Sequence, residues 1–154
     1  MIIPNRAPQA IASAIGAEGC YYLSILELAR RLTGRQLDPI ALYDVFTQRR
    51  NSQGAFFMNP DCFVNDPVGI FEFVTGEEQV EFFKTPDLDF SFKPEDLACI
   101  RYEWKTTGAV RSHFVCADSD GQVNWDPLGI SNTVRFGTPM SYRVFRIKPR
   151  AAPI

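Results

Sequence analysis

Apolar positions recur at helical spacing in the first half of this chain and give way to alternating, strand-like runs in the second. Within residues 19–34, Ile25, Leu28, Ala29 and Leu32 fall at i, i+3, i+4 and i+7, and Tyr22 and Leu26 widen the stripe. This spacing predicts a deeply packed helix that starts near Cys20. Gly34 supplies a left-handed residue beyond its end, and Arg30 and Arg31 complement the negative helix terminus. Asp38-Pro39 and Asp66-Pro67 each place a capping carboxylate before a proline suited to the first helical position. They predict two further short helices, one running to about Arg50 and one ending at Gly76. Residues 10–19 read as a loop. So do residues 51–61, whose Phe56 and Phe57 read as satellite core packing rather than the lining of a substrate groove.

Beyond Gly76 the pattern predicts strands over 79–83, 98–104, 112–117, 122–125 and 141–147, with a single helical turn at Pro94-Glu95-Asp96. Helices first and an antiparallel sheet second define an α+β class. Trp104 and Trp125, at strand ends, read as core residues before they read as a roof over any site.

Candidate chemistry enters through the sole histidine. His113 sits in Ser112-His113-Phe114-Val115-Cys116-Ala117, followed by Asp118-Ser119-Asp120-Gly121 and a return strand ending in Trp125-Asp126-Pro127. In the simplest hairpin register Ala117 faces Gln122 and His113 faces Asp126, with opposed Cβ atoms about 4.5–5.5 Å apart. A carboxylate there accepts a hydrogen bond from one imidazole nitrogen and leaves the other for proton transfer. If Gly121 is an extra left-handed residue, Asp126 moves opposite Phe114 and onto the wrong face unless the strand end bends. The matching nucleophile is Cys20, in the first turn of the central helix, where the helix dipole and a nearby imidazolium both favour thiolate. Gly19 before it leaves room for other groups near the sulfur.

Taken singly, a cysteine is most often a core residue and a strand histidine most often structural. Together, Cys20, His113 and Asp126 in that chain order make a nucleophile, a general base and an orienting acid. Their order and settings resemble the papain-like cysteine peptidase fold, particularly the bacteriocin-processing double-glycine peptidases. That family has a cysteine at the start of a central helix, a histidine followed by an aromatic residue and valine, and Asp-Pro after the next strand. Here these are Cys20, His113-Phe114-Val115 and Asp126-Pro127, and the layout extends over residues 15–147. The chain is also similar to uncharacterised phage- and plasmid-borne proteins with Gly-Cys-Tyr at the same place. The resemblance implies helices packed on a C-terminal antiparallel sheet, and a thiol hydrolase or acyl transferase acting on peptide or isopeptide bonds of a peptide or protein substrate. Where the peptidases carry an oxyanion-hole glutamine upstream of the cysteine, this chain has Ala14. Gln9 is then the candidate second donor beside the Cys20 backbone N–H, because an ionised Glu18 would repel an oxyanion. The departure keeps a second reading open, a catalytically silent papain-like binding module of phage or mobile-element origin.

Composition narrows the picture. The 154 residues suit one domain spanning 1–154, with a loose tail over 148–154. A formal charge of −2 without a basic run gives no support to nucleic-acid binding, and Arg135, Arg143, Arg146, Lys148 and Arg150 read as a solvated face. No apolar run approaches the ~18 residues of a membrane span, and Met1-Ile2-Ile3-Pro4-Asn5 lacks signal-peptide character, so a cytoplasmic protein without membrane association is expected. Cys20, Cys62, Cys99 and Cys116 form no CxxC pair, so neither a zinc site nor a cofactor is expected, and the thiols are expected reduced, with Cys99 and Cys116 in the core.

Overall fold

A computed structural model describes residues 8–148 of the chain. The expected tail therefore lies, beyond Lys148, outside the described residues, as does the N-terminal segment 1–7. The protein is α+β and divides into two compact units at Thr75/Gly76.

The first unit is helical. α1 covers Pro8–Glu18, α2 Cys20–Thr33, α3 Pro39–Gln48 and α4 Pro67–Thr75. α1 replaces the expected loop over residues 10–19. Ile11 and Ile15, one turn apart, are both buried and give it a narrow apolar stripe, within a polar and small-residue stretch that hides the periodicity. α2 buries Tyr22, Ile25, Leu26, Leu28 and Ala29 as its stripe predicts, but Leu32 in its last turn is 39% exposed. Gly34 closes the helix at φ 71°, donating its N–H to the Arg30 carbonyl. Asp38 caps α3 by accepting from the backbone N–H groups of Ile40 and Ala41, and Asp66 accepts from Gly69 N–H at the start of α4. Phe46 centres this core, with Tyr22, Phe57 and Phe73 packed edge-on around it. Phe57 thus joins the core, whereas Phe56 stays exposed beneath the Arg50 guanidinium.

The second unit is a five-stranded antiparallel sheet in the order β1-β5-β2-β3-β4. β1 is Glu81–Thr85, β2 Asp96–Thr106, β3 Ala109–Ala117, β4 Val123–Trp125 and β5 Thr138–Arg146; α5, Asn132–Phe136, connects the last two strands. The expected helical turn at Pro94 is a tight turn closed by Asp96 N–H donating to the Lys93 carbonyl. One sheet face carries Ala98, Ile100, Val115, Tyr142 and Val144, covered by Phe90, Phe92 and Val134 of the same unit. On the other face Cys99 and Cys116 oppose each other across β2 and β3, buried and unbridged. The basic C-terminal quarter is not a uniformly solvated face. Arg143 is buried, stacked on Phe114 and bonded to Ser141, and Arg146 forms a two-pronged pair with the Asp96 carboxylate, at 2.7 and 2.8 Å. Among the described residues no helix is long and apolar enough to cross a membrane.

Candidate functional site

Residues of the β3–β4 hairpin bring an imidazole and a carboxylate together in the sheet unit. The turn is built by Asp118, whose side chain accepts from the N–H groups of Asp120 and Gln122 while its carbonyl accepts from Gly121 N–H. Gly121 is left-handed at φ 77°, and a Cβ there would collide with the Tyr142 hydroxyl. The simple register is therefore not adopted. Ala117 faces Val123 rather than Gln122, one residue out of the expected pairing, because the left-handed glycine adds a residue to the turn. A second slip follows between Cys116 and Ala117, so that Cys116 faces Trp125. Extending that register by one residue brings Asp126 beside Val115, on the face that His113 also occupies. The two slips cancel in side-chain parity.

The outcome is a hydrogen bond of 2.7 Å between His113 Nε2 and Asp126 Oδ1, with both side chains 6% exposed. Asp126 is itself held. Its Oδ1 also accepts from Leu128 N–H at 2.8 Å, its Oδ2 accepts from the Ser131 hydroxyl at 2.8 Å, and its carbonyl accepts from Gly129 N–H. Ser131 is buried and caps α5, accepting from Val134 N–H at 3.3 Å. Against a carboxylate, Nε2 is the nitrogen that carries the shared proton. Tyr102 lies opposite His113 on β2, its phenol pushed up by burial and by the neighbouring Tyr142, so it stays a neutral hydroxyl. Trp104, two residues further on, stacks obliquely on Phe136 and with Met140 lines a cleft of about 360 Å³.

Cys20 belongs to the helical unit. It is the first residue of α2 and half-buried, with Gly19 as a cap that supplies no side-chain bond to the first-turn N–H groups. Gly19 is needed for packing: a Cβ there would collide with the Ile15 carbonyl at the α1–α2 corner. The Cys20 N–H stands among the helix-start donors, as an oxyanion site requires. Gln9 does not join it. Residues 10–18 are helix, not a loop that bends back, so exposed Gln9 is held at the far end of α1, about 14 Å of helical rise from Glu18.

Ser131 is a functional-site residue that sequence reasoning missed. Ser131 before Asn132-Thr133-Val134 is legible as a helix cap, but its hydroxyl's second use, on Asp126, depends on the loop geometry. Among the described residues no group of three or more His, Cys, Asp or Glu side chains is disposed to hold a metal ion.

Fold and site define an α+β protein with a buried, multiply anchored histidine–aspartate pair. The chain belongs to the family described as protein of unknown function, DUF261, whose model matches residues 5–147. No curated protein and no solved structure matches it.

Proposed function

We propose that the protein is a papain-like thiol hydrolase or acyl transferase acting on peptide or isopeptide bonds. Cys20 attacks the carbonyl carbon as thiolate; His113 takes the proton through Nδ1 and returns it to the leaving amine; Asp126 fixes the ring and stabilises its positive charge. Water or a second amine then releases the acyl group from the sulfur. The observation that carries this reading is the His113–Asp126 bond, because a structural histidine needs no carboxylate that further hydrogen bonds hold in place. The first-turn setting of Cys20 is the second support. The reading requires the Cys20 sulfur to come within hydrogen-bonding reach of His113 Nδ1.

Alkylation of Cys20 by iodoacetamide as a function of pH tests it. An imidazole-activated thiolate labels rapidly at about pH 6 and loses that reactivity in His113→Ala. Unchanged labelling in His113→Ala overturns the assignment. One observation favours the binding-module reading instead: Gln9 cannot supply the second oxyanion donor, and Ala14 offers none. In that case Cys20 labels no faster at about pH 6 than an ordinary thiol.

A further inference from the structure

Cys99 and Cys116 stand in a row of directly opposed residues that crosses the whole sheet. Lys84 on β1 faces Arg143 on β5, Arg143 faces Cys99 on β2, Cys99 faces Cys116 on β3, and Cys116 faces Trp125 on β4. Directly opposed residues share a sheet face. The register also fixes how closely the two thiols approach. Thr106 and Ala109 flank a two-residue turn and form a hydrogen-bonded pair, and hydrogen-bonded and non-hydrogen-bonded pairs alternate along a regular antiparallel ladder. The β2–β3 ladder runs from that turn without a slip, and Cys99 lies seven residues before Thr106, so Cys99 and Cys116 form a non-hydrogen-bonded pair. Cα atoms in such a pair are about 4.5 Å apart, the closer of the two spacings and inside the range of about 4.4–6.8 Å that a disulfide spans.

We propose that Cys99 and Cys116 are a redox pair, which a hydroperoxide closes to a cross-strand disulfide and a dithiol reductant reopens. The structure holds the reduced form. Arg143 selects the attacking thiol. Its buried guanidinium, set between Ser141 on β5 and the Phe114 ring on β3, stands over β2 beside Cys99. A neighbouring cation favours thiolate, the form that attacks peroxide. The one carboxylate on this face of β2, Glu103, is four residues from Cys99, about 13 Å along the strand, and is engaged by Arg101 at 3.3 Å and Lys105 at 4.0 Å. The Cys99 thiolate attacks one peroxide oxygen, the O–O bond breaks, and the departing oxygen takes up a proton, leaving a sulfenic acid and, from hydrogen peroxide, one water. The Cys116 sulfur then attacks the Cys99 sulfur; the S–S bond forms, and the sulfenic hydroxyl leaves with the Cys116 proton as a second water. The two thiols give up two electrons and two protons, and the peroxide takes both.

Both cysteines are buried, and β4 supplies the way in. It is a three-residue edge strand that, among the described residues, pairs only with Cys116 and Ala117 of β3, so its local opening uncovers Cys116 at less cost than opening the sheet. A disulfide at the short end of the Cα range is strained and readily reduced, which makes it reversible rather than structural. None of this rests on the hydrolase reading.

The test treats the reduced, unsubstituted chain with hydrogen peroxide, blocks remaining thiols with a maleimide after unfolding, and maps the disulfides by mass spectrometry of the digested protein. The expected main product links the peptides of Cys99 and Cys116, lighter than their sum by two hydrogens, and dithiothreitol restores both thiols. Recovery of Cys99 and Cys116 as thiols overturns the proposal, as does a bond between them that forms only when peroxide is added in urea. Dimedone, which traps sulfenic acids, tests the order of attack. Cys99 in Cys116→Ala is expected to be trapped at least roughly tenfold faster than Cys116 in Cys99→Ala. Equal rates overturn the assignment of Cys99 as the attacking thiol. The disulfide mapping needs no substitution and so decides the pairing even where a variant fails to fold.

Discussion

Asp126 reaches His113 because the β3–β4 ladder slips twice, once at Gly121 and once between Cys116 and Ala117. Either slip alone would turn the carboxylate toward the opposite sheet face. The pair therefore depends on an irregular hairpin as much as on the two residues that form it.

Gly121→Ala tests that dependence. A side chain there meets both an unfavourable φ and the Tyr142 hydroxyl, so a loss of about 1–3 kcal/mol is expected in urea unfolding. The shift should extend to the imidazole: nitrogen chemical shifts of His113 are expected to lose the signature of an Nε2–H bonded to a carboxylate.

Ser131→Ala removes both the hydroxyl on Asp126 and the cap of α5, for an expected cost of about 1–2 kcal/mol. Ser131→Thr keeps the hydroxyl and should recover most of it. If both variants match the unsubstituted protein in stability and in His113 titration followed by NMR, Ser131 does not position the pair.

Asp126→Asn should separate orientation from charge. The amide oxygen can still accept from His113 and Leu128, while its NH₂ donates to the Ser131 hydroxyl oxygen, so the fold is retained. Labelling of Cys20 at about pH 6 is expected to slow by roughly 10–100-fold in this variant and further in Asp126→Ala, because neither stabilises the imidazolium. A faster rate in Asp126→Ala than in Asp126→Asn would contradict the assigned role.

Asp96 gives a pH prediction away from the site. Burial alone would raise its carboxyl, but the Arg146 fork, the Lys93 N–H and the charges of both outweigh burial and hold it below the usual carboxylate range. A carboxyl lowered in the folded state stabilises the fold fully above its unfolded pKa of about 3.9, and that contribution is lost as pH falls through the folded value. Asp96→Ala is therefore expected to cost about 2–4 kcal/mol at neutral pH. Urea titrations at decreasing pH should show the difference from the unsubstituted protein shrinking below about pH 4.

The helices with strong punctuation were legible: Asp38-Pro39, Asp66-Pro67 and Gly34 act locally, through caps and a left-handed residue that need no tertiary partner. α1 was not, because only Ile11 and Ile15 mark its buried side, and α5 is too short to show a period. His113 and Asp126 were legible as partners, but the register that joins them was not. Register in a hairpin follows the number of residues that the turn absorbs, and here it absorbs them at two places. Arg143 and Arg146 read as surface charge since nothing nearby in sequence reveals Phe114 or Asp96 across the sheet.

The cap that Ser131 provides to α5 ties the orientation of an imidazole to the lifetime of a helix only five residues long. A helix of that length has no independent stability and opens whenever its packing loosens. Each opening frees the hydroxyl that steadies the outer oxygen of Asp126 and leaves that residue held by the Leu128 and Gly129 N–H groups. Solvent exchange at the Val134 amide, which donates to the same Ser131 oxygen, therefore reads how often that support is released.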